Sequence, residues 1–327
     1  MKSKPCGLTK RIDRHKNPRP NRFMKPRYNL LNIILLAQPM RDTSLTANAP
    51  STWQCGRYVL DTSRPLVMGI LNLTPDSFSD GGQFIEPELA VQRALQMIAD
   101  GADIIDNGGE YARPNYAPKV SCCEELCRIL PVIDALMDCG VPISVDTCKP
   151  YVMRETLKLG VDIINDIGGF NNPVSIDAVA DSHCGLCVMH MQGTPQTMQD
   201  EPYYDDVVAE VAKFLALQVQ RLSLAGVAHE RICLDAGFGF GKNLAHNHAL
   251  MRGLNELQGE YTLPMLVGVS RKSMIGAITG RDAPAERISG SVTAALWALN
   301  NGAHIVRVHD VRETVDAIRT WDFLNTP

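Results

Sequence analysis

At residues 68–82 the sequence reads Met68-Gly69-Ile70-Leu71-Asn72-Leu73-Thr74-Pro75-Asp76-Ser77-Phe78-Ser79-Asp80-Gly81-Gly82. The apolar run from Pro65 to Leu71 is typical of a strand that is buried on both faces. The run stops at an amide, Asn72, and continues as a polar loop that ends in two glycines. In a barrel of parallel strands, the active site is built from the carboxyl ends of the strands and the loops that follow them. We therefore expect Asn72 to lie on the functional face of such a barrel.

Strand-like apolar runs alternate with longer amphipathic segments along the body of the chain. The eight predicted strands are Pro65–Leu71, Ala102–Asp106, Val141–Asp146, Val161–Asn165, Gly185–His190, Arg231–Asp235, Pro264–Val269 and Ala303–Val308. The predicted helices are Pro87–Asp100, Glu124–Asp138, Pro150–Leu159, Val174–Asp181, Asp205–Ala225, Ala245–Leu257, Ala285–Asn300 and Val311–Phe323. Buried strands that alternate with helices predict an α/β protein, and eight such units predict a (β/α)8 TIM barrel of parallel strands.

The first fifty residues differ in charge from the rest of the chain. The sequence of 327 residues has a net charge of −4, but residues 1–50 hold eleven Lys or Arg against two Asp, a balance of +9. Residues 51–327 therefore carry −13, which argues against nucleic acid as a partner, because phosphate binding needs a basic surface. We expect residues 1–50 to be a basic, disordered extension and residues 51–327 to be one barrel domain.

The extension also bears on where the protein is located. Its apolar run Leu30–Ala37 is much shorter than the roughly 20 residues that cross a bilayer, so we expect no membrane span. A signal peptide or a transit peptide is an alternative, since Thr46-Ala47-Asn48-Ala49 loosely fits a cleavage site. The preferred interpretation is a cytoplasmic protein with Met40 as a candidate start and with its ten cysteines as reduced thiols.

Polar side chains stand at the carboxyl end of every predicted strand. They are Asn72, Asp106, Asp146, Asn165-Asp166, His190, Asp235, Ser270-Arg271-Lys272 and Arg307-Val308-His309. Because these strand ends meet on one face of a barrel, the side chains are expected to surround one ligand. Amides and carboxylates suit a polar heterocycle, whereas the basic groups after the seventh and eighth strands suit phosphate. A metal is an alternative ligand for the whole face, and a solvent-exposed basic surface is the alternative for the second group.

A glycine-rich loop follows the sixth predicted strand. It reads Asp235-Ala236-Gly237-Phe238-Gly239-Phe240-Gly241-Lys242. Its glycines allow the backbone to approach a ligand closely, and its aromatic rings are suited to line a flat ring system. The loop therefore predicts part of a heterocycle site.

A series of short motifs follows the predicted strands in chain order. They are Ile105-Asp106-Asn107-Gly108-Gly109-Glu110, Ile143-Ser144-Val145-Asp146-Thr147, Ile163-Ile164-Asn165-Asp166-Ile167, Met189-His190-Met191-Gln192-Gly193, Asp235–Lys242, Ser270–Gly276 and Arg307-Val308-His309-Asp310-Val311. Together with the loop at 68–82 they resemble the motifs of the dihydropteroate synthases of folate biosynthesis, over residues 58–323. The resemblance implies a (β/α)8 barrel, usually a homodimer. It would condense 6-hydroxymethyl-7,8-dihydropterin diphosphate with 4-aminobenzoate to give 7,8-dihydropteroate and diphosphate.

The resemblance also implies roles for individual residues. The implied catalytic residues are Asp146, Lys272, Arg307 and His309. The implied pterin-binding residues are Asp146, Asn165, Met189, Asp235, Phe240 and Lys272. The implied diphosphate-binding residues are Asn72, Arg307 and His309, and those of the aminobenzoate side are Phe78, Arg113, Pro114 and Ser273. Asn72 would also bind Mg²⁺, the implied cofactor, and a metal beside cationic groups would assist the departure of diphosphate.

The chain departs from the family pattern in its second loop. After Gly109-Glu110 the family usually reads Ser-Thr-Arg-Pro-Gly, whereas this chain reads Tyr111-Ala112-Arg113-Pro114-Asn115-Tyr116. This loop borders the aminobenzoate side in the family, so we expect a sulfonamide-tolerant synthase. Neutral variation in a loop is the alternative. Two other functions stay open: a catalytically silent pterin-binding paralogue, and a pterin-dependent corrinoid methyltransferase that would need no diphosphate site.

Overall fold

The computed structural model describes residues 52–74, 86–110, 120–259 and 261–326. The strands in these segments are β1 Thr52–Cys55, β2 Tyr58–Asp61, β3 Leu66–Asn72, β4 Ile104–Gly108, β5 Ile143–Asp146, β6 Ile163–Asp166, β7 Gly185–Met189, β8 Ile232–Asp235, β9 Met265–Val267 and β10 Ile305–Val308. The helices are α1 Pro87–Ala99, α2 Cys122–Leu136, α3 Pro150–Leu159, α4 Pro173–Val179, α5 Val207–Leu224, α6 Leu244–Arg252, α7 Ser273–Thr279, α8 Ile288–Asn300 and α9 Val311–Asn325. The predicted extension 1–50 with Met40, and the predicted site residues Phe78, Arg113 and Pro114, lie outside the described residues.

Strands β3 to β10 close into a barrel of eight parallel strands in chain order. β10 closes the barrel against β3, with Val308 opposite Gly69. Every residue of β4 and β7 is buried, which explains why these strands are continuous apolar runs rather than alternating ones. The predicted (β/α)8 TIM barrel is confirmed, and all eight predicted strands are present.

The core has two apolar layers that the barrel wall separates. The larger layer fills the space between the strands and the surrounding helices. The smaller one lies inside the barrel and includes Met68, Ile104 and Leu266. Both layers contribute hydrophobic stabilisation at roughly 25 cal/mol per Å² of buried apolar area. The polar residues lie at the ends of the strands, outside these two layers.

A short hairpin, β1–β2, covers the amino-terminal end of the barrel. Trp53 of β1 is fully buried among the first residues of the barrel strands, and its Nε1 donates a hydrogen bond to the carbonyl of Arg231 over 2.9 Å. Gly56 turns the hairpin with a φ of +55°, a conformation that favours glycine. The hairpin closes one end of the barrel, so a ligand site must lie at the other end.

The helices differ from the sequence expectation in three places, one of which is the predicted helix Ala285–Asn300, where a 3₁₀ turn at Pro284–Arg287 precedes α8. The short helix α7 was not predicted, because Gly276 lies within it and its apolar pattern spans only seven residues. It ends at Gly280, which has a φ of +68°. The predicted helix Ala245–Leu257 is divided into α6 and a 3₁₀ turn at Leu254–Glu256. Among the described residues, no helix is both long and apolar enough to cross a membrane.

Candidate active site

The barrel brings the polar strand ends together in two neighbouring rows. In the first row, Asn72 lies opposite Gly108, Gly108 opposite Asp146, and Asp146 opposite Asn165. In the second row, Met189 lies opposite Asp235. Because Gly108 has no side chain, Asn72 and Asp146 face a common space. A Cβ built at Gly108 would lie 3.9 Å from Asn72 Oδ1 and 4.0 Å from Asp146 Oδ2.

Arg307 crosses the barrel mouth from β10 to two carboxylates. Its Nε donates to Asp106 Oδ2 over 2.6 Å, and its Nη2 donates to Asp146 Oδ2 over 2.8 Å. Burial opposes the charge of Arg307, but Asp106 and Asp146 outweigh it and raise the pKa of the guanidinium. Burial raises the pKa of Asp146 to about 7, against the opposing effect of Arg307. A cation and two acids therefore share one partly buried network.

Asp106, which the sequence analysis placed among the polar strand ends without a role of its own, is a central member of the site. Its Oδ1 accepts from Ser144 Oγ over 2.5 Å, and its Oδ2 accepts from Asn165 Nδ2 over 3.1 Å. The residue is fully buried. The signal for it was present, because an acid that ends a wholly apolar strand is buried and needs partners. The sequence did not show that those partners would be the predicted site residues Asn165 and Arg307.

Lys272 and the glycine-rich loop after β8 form the second part of the site. Lys272 Nζ donates to the carbonyl of Phe238 over 2.6 Å and lies 4.7 Å from the centroid of the Phe240 ring. Burial lowers the pKa of Lys272 to about 8, and the charge of Asp235 opposes this effect. Burial raises the pKa of Asp235, and Lys272 opposes it. The structure thus places a buried acid, a buried amine and an aromatic ring side by side.

A second buried lysine, Lys242, holds the glycine-rich loop. Its Nζ donates to the carbonyls of Gly237 and Phe240 over 3.0 and 2.9 Å, and it lies 2.9 Å from His190 Nδ1. At Gly237, with a φ of +66°, a Cβ would lie 1.9 Å from the carbonyl oxygen of His190. The glycine therefore permits the loop to pack on the end of β7. Sequence reasoning missed the role of Lys242, because the sequence does not show whether a lysine is buried or exposed.

His190 makes the stability of the folded state depend on pH. Its ring faces the ammonium of Lys242, and burial, together with that charge, lowers the pKa of His190 to about 3. The unfolded chain takes up this proton near pH 6.5, so the folded state loses stability as the pH falls below 6.5. His190→Asn keeps an acceptor that does not titrate. We expect its stability relative to wild type to rise by about 2 kcal/mol between pH 7.5 and pH 5.

Urea unfolding of both proteins at the two pH values measures this difference. The comparison must be with the variant, because other groups titrate in this range: burial lowers the pKa of Lys242 to about 7, and it raises the pKa of Asp146 to about 7 and that of Asp166 to about 6. Those two acids change stability in the opposite direction over the same pH range. A difference between wild type and His190→Asn that is the same at both pH values would contradict a neutral, buried His190.

The residues after β9 and β10 divide between structure and a candidate anion site. Ser270 Oγ lies 3.0 Å from His309 Nδ1 and accepts from the backbone N–H of His309 over 3.1 Å. Arg271 instead forms an ion pair with Asp310. Arg271 thus has an acidic partner of its own, as Arg307 has in Asp106 and Asp146. Arg307 is joined to the polar face by those two acids, and the ring of His309 contacts Ser270.

The other predicted site residues are placed as follows. Met189 is buried at the end of β7, and Asn72 is partly exposed at the end of β3. Ser273 is the first residue of α7 and is exposed. The strand-end residues of the predicted pterin and diphosphate sets therefore share one face of the barrel. Their individual roles stay predictions.

The ends of the second loop are tied together by residues that the sequence analysis did not single out. Lys149 Nζ donates to Glu110 Oε2 over 2.7 Å and to the buried Glu125 Oε2 over 2.5 Å. Glu110 Oε1 also accepts from the backbone N–H of Val120 over 3.1 Å. Glu110 precedes the segment 111–119 and Val120 follows it. One carboxylate thus joins the two ends of the altered loop.

Comparisons with known proteins agree with this geometry. A family model described as a pterin binding enzyme matches residues 68–309. The dihydropteroate synthase of Escherichia coli K12 is 53% identical over 261 residues, which is 80% of this chain and 92% of that protein. Among solved structures, the Burkholderia cenocepacia dihydropteroate synthase complexed with 7,8-dihydropteroate is 51% identical, with a TM-score of 0.77 and coverage of 84% and 96%. The Xanthomonas albilineans enzyme with 4-aminobenzoic acid is 45% identical, with a TM-score of 0.79 and coverage of 85% and 99%.

Proposed function

The chain belongs to the dihydropteroate synthase family of pterin-binding enzymes, and we propose how its residues carry out the reaction of that family. The chain condenses 6-hydroxymethyl-7,8-dihydropterin diphosphate with 4-aminobenzoate, giving 7,8-dihydropteroate and diphosphate in folate biosynthesis. The observation that carries this function is the shared network of Asp106, Asp146, Asn165 and Arg307 at the barrel mouth. Detection of 7,8-dihydropteroate after incubation of the purified protein with both substrates tests it.

The pterin is proposed to lie across the strand ends of β5 to β8. Asp146 and Asp235 would accept hydrogen bonds from the amino and ring N–H groups of the pterin, for which a carboxylate is a strong acceptor. Asn165 and Lys272 would hold neighbouring edges, with Met189 packed near the ring. The burial of Asp146 and Asp235 supports this placement, because buried acids are tolerated where donors meet them.

Diphosphate is proposed to leave toward Arg307 and His309. Arg307 has five N–H donors, and its two hydrogen bonds to Asp106 and Asp146 use two of them. The remaining donors would bind oxygens of the leaving group, whose negative charge grows as the bond to the pterin methylene carbon breaks. The pterin ring can delocalise the positive charge left on that carbon. The amine of 4-aminobenzoate then attacks it, and no covalent protein intermediate is required.

Mg²⁺ is proposed as the cofactor, with Asn72 as its protein ligand. Within the described residues, no cluster of three or more His, Cys, Asp or Glu side chains is arranged to hold a metal. Asn72 Oδ1 and Asp146 Oδ2 offer oxygen donors near Gly108. This donor set fits Mg²⁺, which is commonly held by one or two protein oxygens together with substrate phosphates and water. When bound, the ion would neutralise charge on the diphosphate.

The variant Asn72→Ala is expected to need more Mg²⁺ for half-maximal velocity, because the ion loses an oxygen ligand. Asn72→Asp is the matched control, since it keeps an oxygen at the same place. Initial rates over a Mg²⁺ titration at saturating substrates compare wild type with the two variants. Identical Mg²⁺ dependence in wild type and Asn72→Ala would remove Asn72 from the metal site.

The altered second loop is proposed to make the enzyme tolerant of sulfonamides. Sulfonamides mimic 4-aminobenzoate but carry a bulkier sulfonyl group, so large side chains at Tyr111 and Tyr116 can exclude them and still admit the substrate. The tie between Glu110, Lys149 and Val120 supports a defined entry and exit for the loop. A loop that merely varies without effect is the competing explanation.

Restoring Ser-Thr-Arg-Pro-Gly after Glu110 is expected to lower the inhibition constant for sulfamethoxazole more than the KM for 4-aminobenzoate. Both constants are measured in wild type and in the restored variant, so that each protein serves as its own control. The ratio of the inhibition constant to the KM is the decisive quantity. An unchanged ratio would show that the loop does not discriminate between the two ligands.

A homodimer in the cytoplasm is also proposed. The large apolar side chains Leu244, Ile278 and Trp297 are exposed on α6, α7 and α8, and these helices are neighbours in the fold. The nine cysteines among the described residues are all free thiols, which is typical of a reducing compartment. Sedimentation equilibrium of the purified chain tests the dimer.

A further inference from the structure

Asp106 lies at the centre of the polar network and accepts from three side chains. Arg307 Nε and Asn165 Nδ2 both donate to its Oδ2, over 2.6 and 3.1 Å, and Ser144 Oγ donates to its Oδ1 over 2.5 Å. The residue is fully buried, so this carboxylate meets protein donors rather than bulk water. An ionised carboxyl group accepts hydrogen bonds and cannot donate them.

The contact with Asp106 determines the orientation of the side-chain amide of Asn165. A rotation of the amide by 180° would bring Asn165 Oδ1 against Asp106 Oδ2, two acceptors with no proton between them. The nitrogen of Asn165 must therefore face Asp106, and the oxygen must face the other way. This assignment follows from the chemistry of the pair, since Arg307 also requires Asp106 to be an acceptor.

The oxygen that results has no protein donor in the described part of the chain. Asn165 Oδ1 is buried without a hydrogen-bond partner there, and the residue is only 3% exposed. Buried polar atoms in folded proteins are nearly always paired. Asn165 stands beside Asp146 in the strand register, within the face proposed for the pterin. The unpaired oxygen is thus suited to a donor that arrives with the ligand.

We infer that Asp106 is a positioning residue that holds the amide oxygen of Asn165 toward the substrate, so that Asn165 accepts a hydrogen bond from the heterocycle. This inference rests on the proposed pterin site. It adds a rule of specificity, because the heterocycle must present an N–H or amino group at this place. A heterocycle with an unprotonated ring nitrogen at this place would put two hydrogen-bond acceptors opposite each other and would bind weakly.

Two variants of Asp106 test the polarity of Asn165. In Asp106→Leu the amide nitrogen of Asn165 loses its acceptor and the amide can rotate, whereas in Asp106→Asn the side-chain oxygen can still accept from Asn165 and Arg307. Asn165→Leu is the matched variant without any polar group. The affinity for 6-hydroxymethyl-7,8-dihydropterin diphosphate is measured by calorimetry without 4-aminobenzoate, and urea unfolding checks that each variant is folded.

We expect at least a tenfold loss of affinity in Asn165→Leu and in Asp106→Leu, and an affinity within about threefold of wild type in Asp106→Asn. If folded Asp106→Leu binds like wild type, Asp106 does not position Asn165 for the ligand and the inference is overturned. If Asn165→Leu binds like wild type, the pterin does not contact Asn165. That outcome overturns the inference together with the proposed pterin placement, whereas retained condensation activity would leave the proposed reaction standing.

A measurement on the wild type covers the case in which the Asp106 variants do not fold. The protein is labelled with ¹⁵N at asparagine, and the Asn165 side-chain amide is assigned by its absence from the spectrum of Asn165→Leu. One of its two protons is expected to exchange slowly with solvent without ligand, because it is bound to Asp106. Fast exchange of both protons would overturn the fixed orientation.

Discussion

Replacing Arg307 with alanine is expected to lower kcat/KM by about 10²- to 10³-fold at saturating Mg²⁺, the usual effect of removing one donor to a developing anion. Arg307 is the cation that joins Asp106 and Asp146, so its loss also leaves two acids without their shared partner. The leaving diphosphate would then meet uncompensated negative charge. Steady-state rates of diphosphate release in wild type and variant measure the effect.

Arg307→Lys is the matched control that keeps the positive charge but loses the planar guanidinium group. A lysine keeps the positive charge, but it lacks the planar fork that reaches two carboxylates at once. We expect Arg307→Lys to recover only part of the lost kcat/KM. Wild-type kcat/KM in Arg307→Ala would exclude this residue from diphosphate departure.

The second large effect is expected at Asp235 and Lys272. Lys272→Ala and Asp235→Asn are each expected to weaken binding of the pterin diphosphate by about 1–3 kcal/mol, because each leaves a buried group or a ligand edge unpaired. Burial shifts the pKa of both groups toward the neutral form, and each charge opposes the shift of the other. Each variant therefore removes one of two charges that stabilise each other, together with one proposed contact to the pterin.

Calorimetry with the pterin diphosphate, without 4-aminobenzoate, measures both affinities. Ser273→Ala is the control, because Ser273 follows Lys272 in the chain but is exposed at the start of α7. Its pterin affinity is expected to match that of wild type. Wild-type affinity in both Lys272→Ala and Asp235→Asn would remove the pair from the pterin site.

The sequence predicted the barrel because its strands carry an unusually direct signal. A parallel strand covered on both faces is a continuous apolar run, and in this chain each run ends at a polar residue such as Asn72 or Asp235. The hairpin β1–β2 and the helix α7 lack that signal. Each strand of the hairpin has four residues and helix α7 has seven. These segments are too short for a periodic pattern of apolar residues to be visible.

The site could be predicted as a set of residues but not as a network. Motif resemblance selected Arg307 and Asn165, yet nothing local indicated that Asp106, 201 positions from Arg307, would bind both of them. The roles of Lys242 and Lys149 could not be predicted either. Lys242 is buried and Lys149 is half-buried, and each donates to acceptors that only the folded chain brings within reach.

Release of diphosphate by the purified protein tests the central claim most directly. The assay supplies 6-hydroxymethyl-7,8-dihydropterin diphosphate and Mg²⁺, with and without 4-aminobenzoate, and follows diphosphate and 7,8-dihydropteroate together. We expect equal amounts of the two products, formed only when 4-aminobenzoate is present. Pterin binding with neither product formed would contradict it and would favour a catalytically silent pterin-binding paralogue.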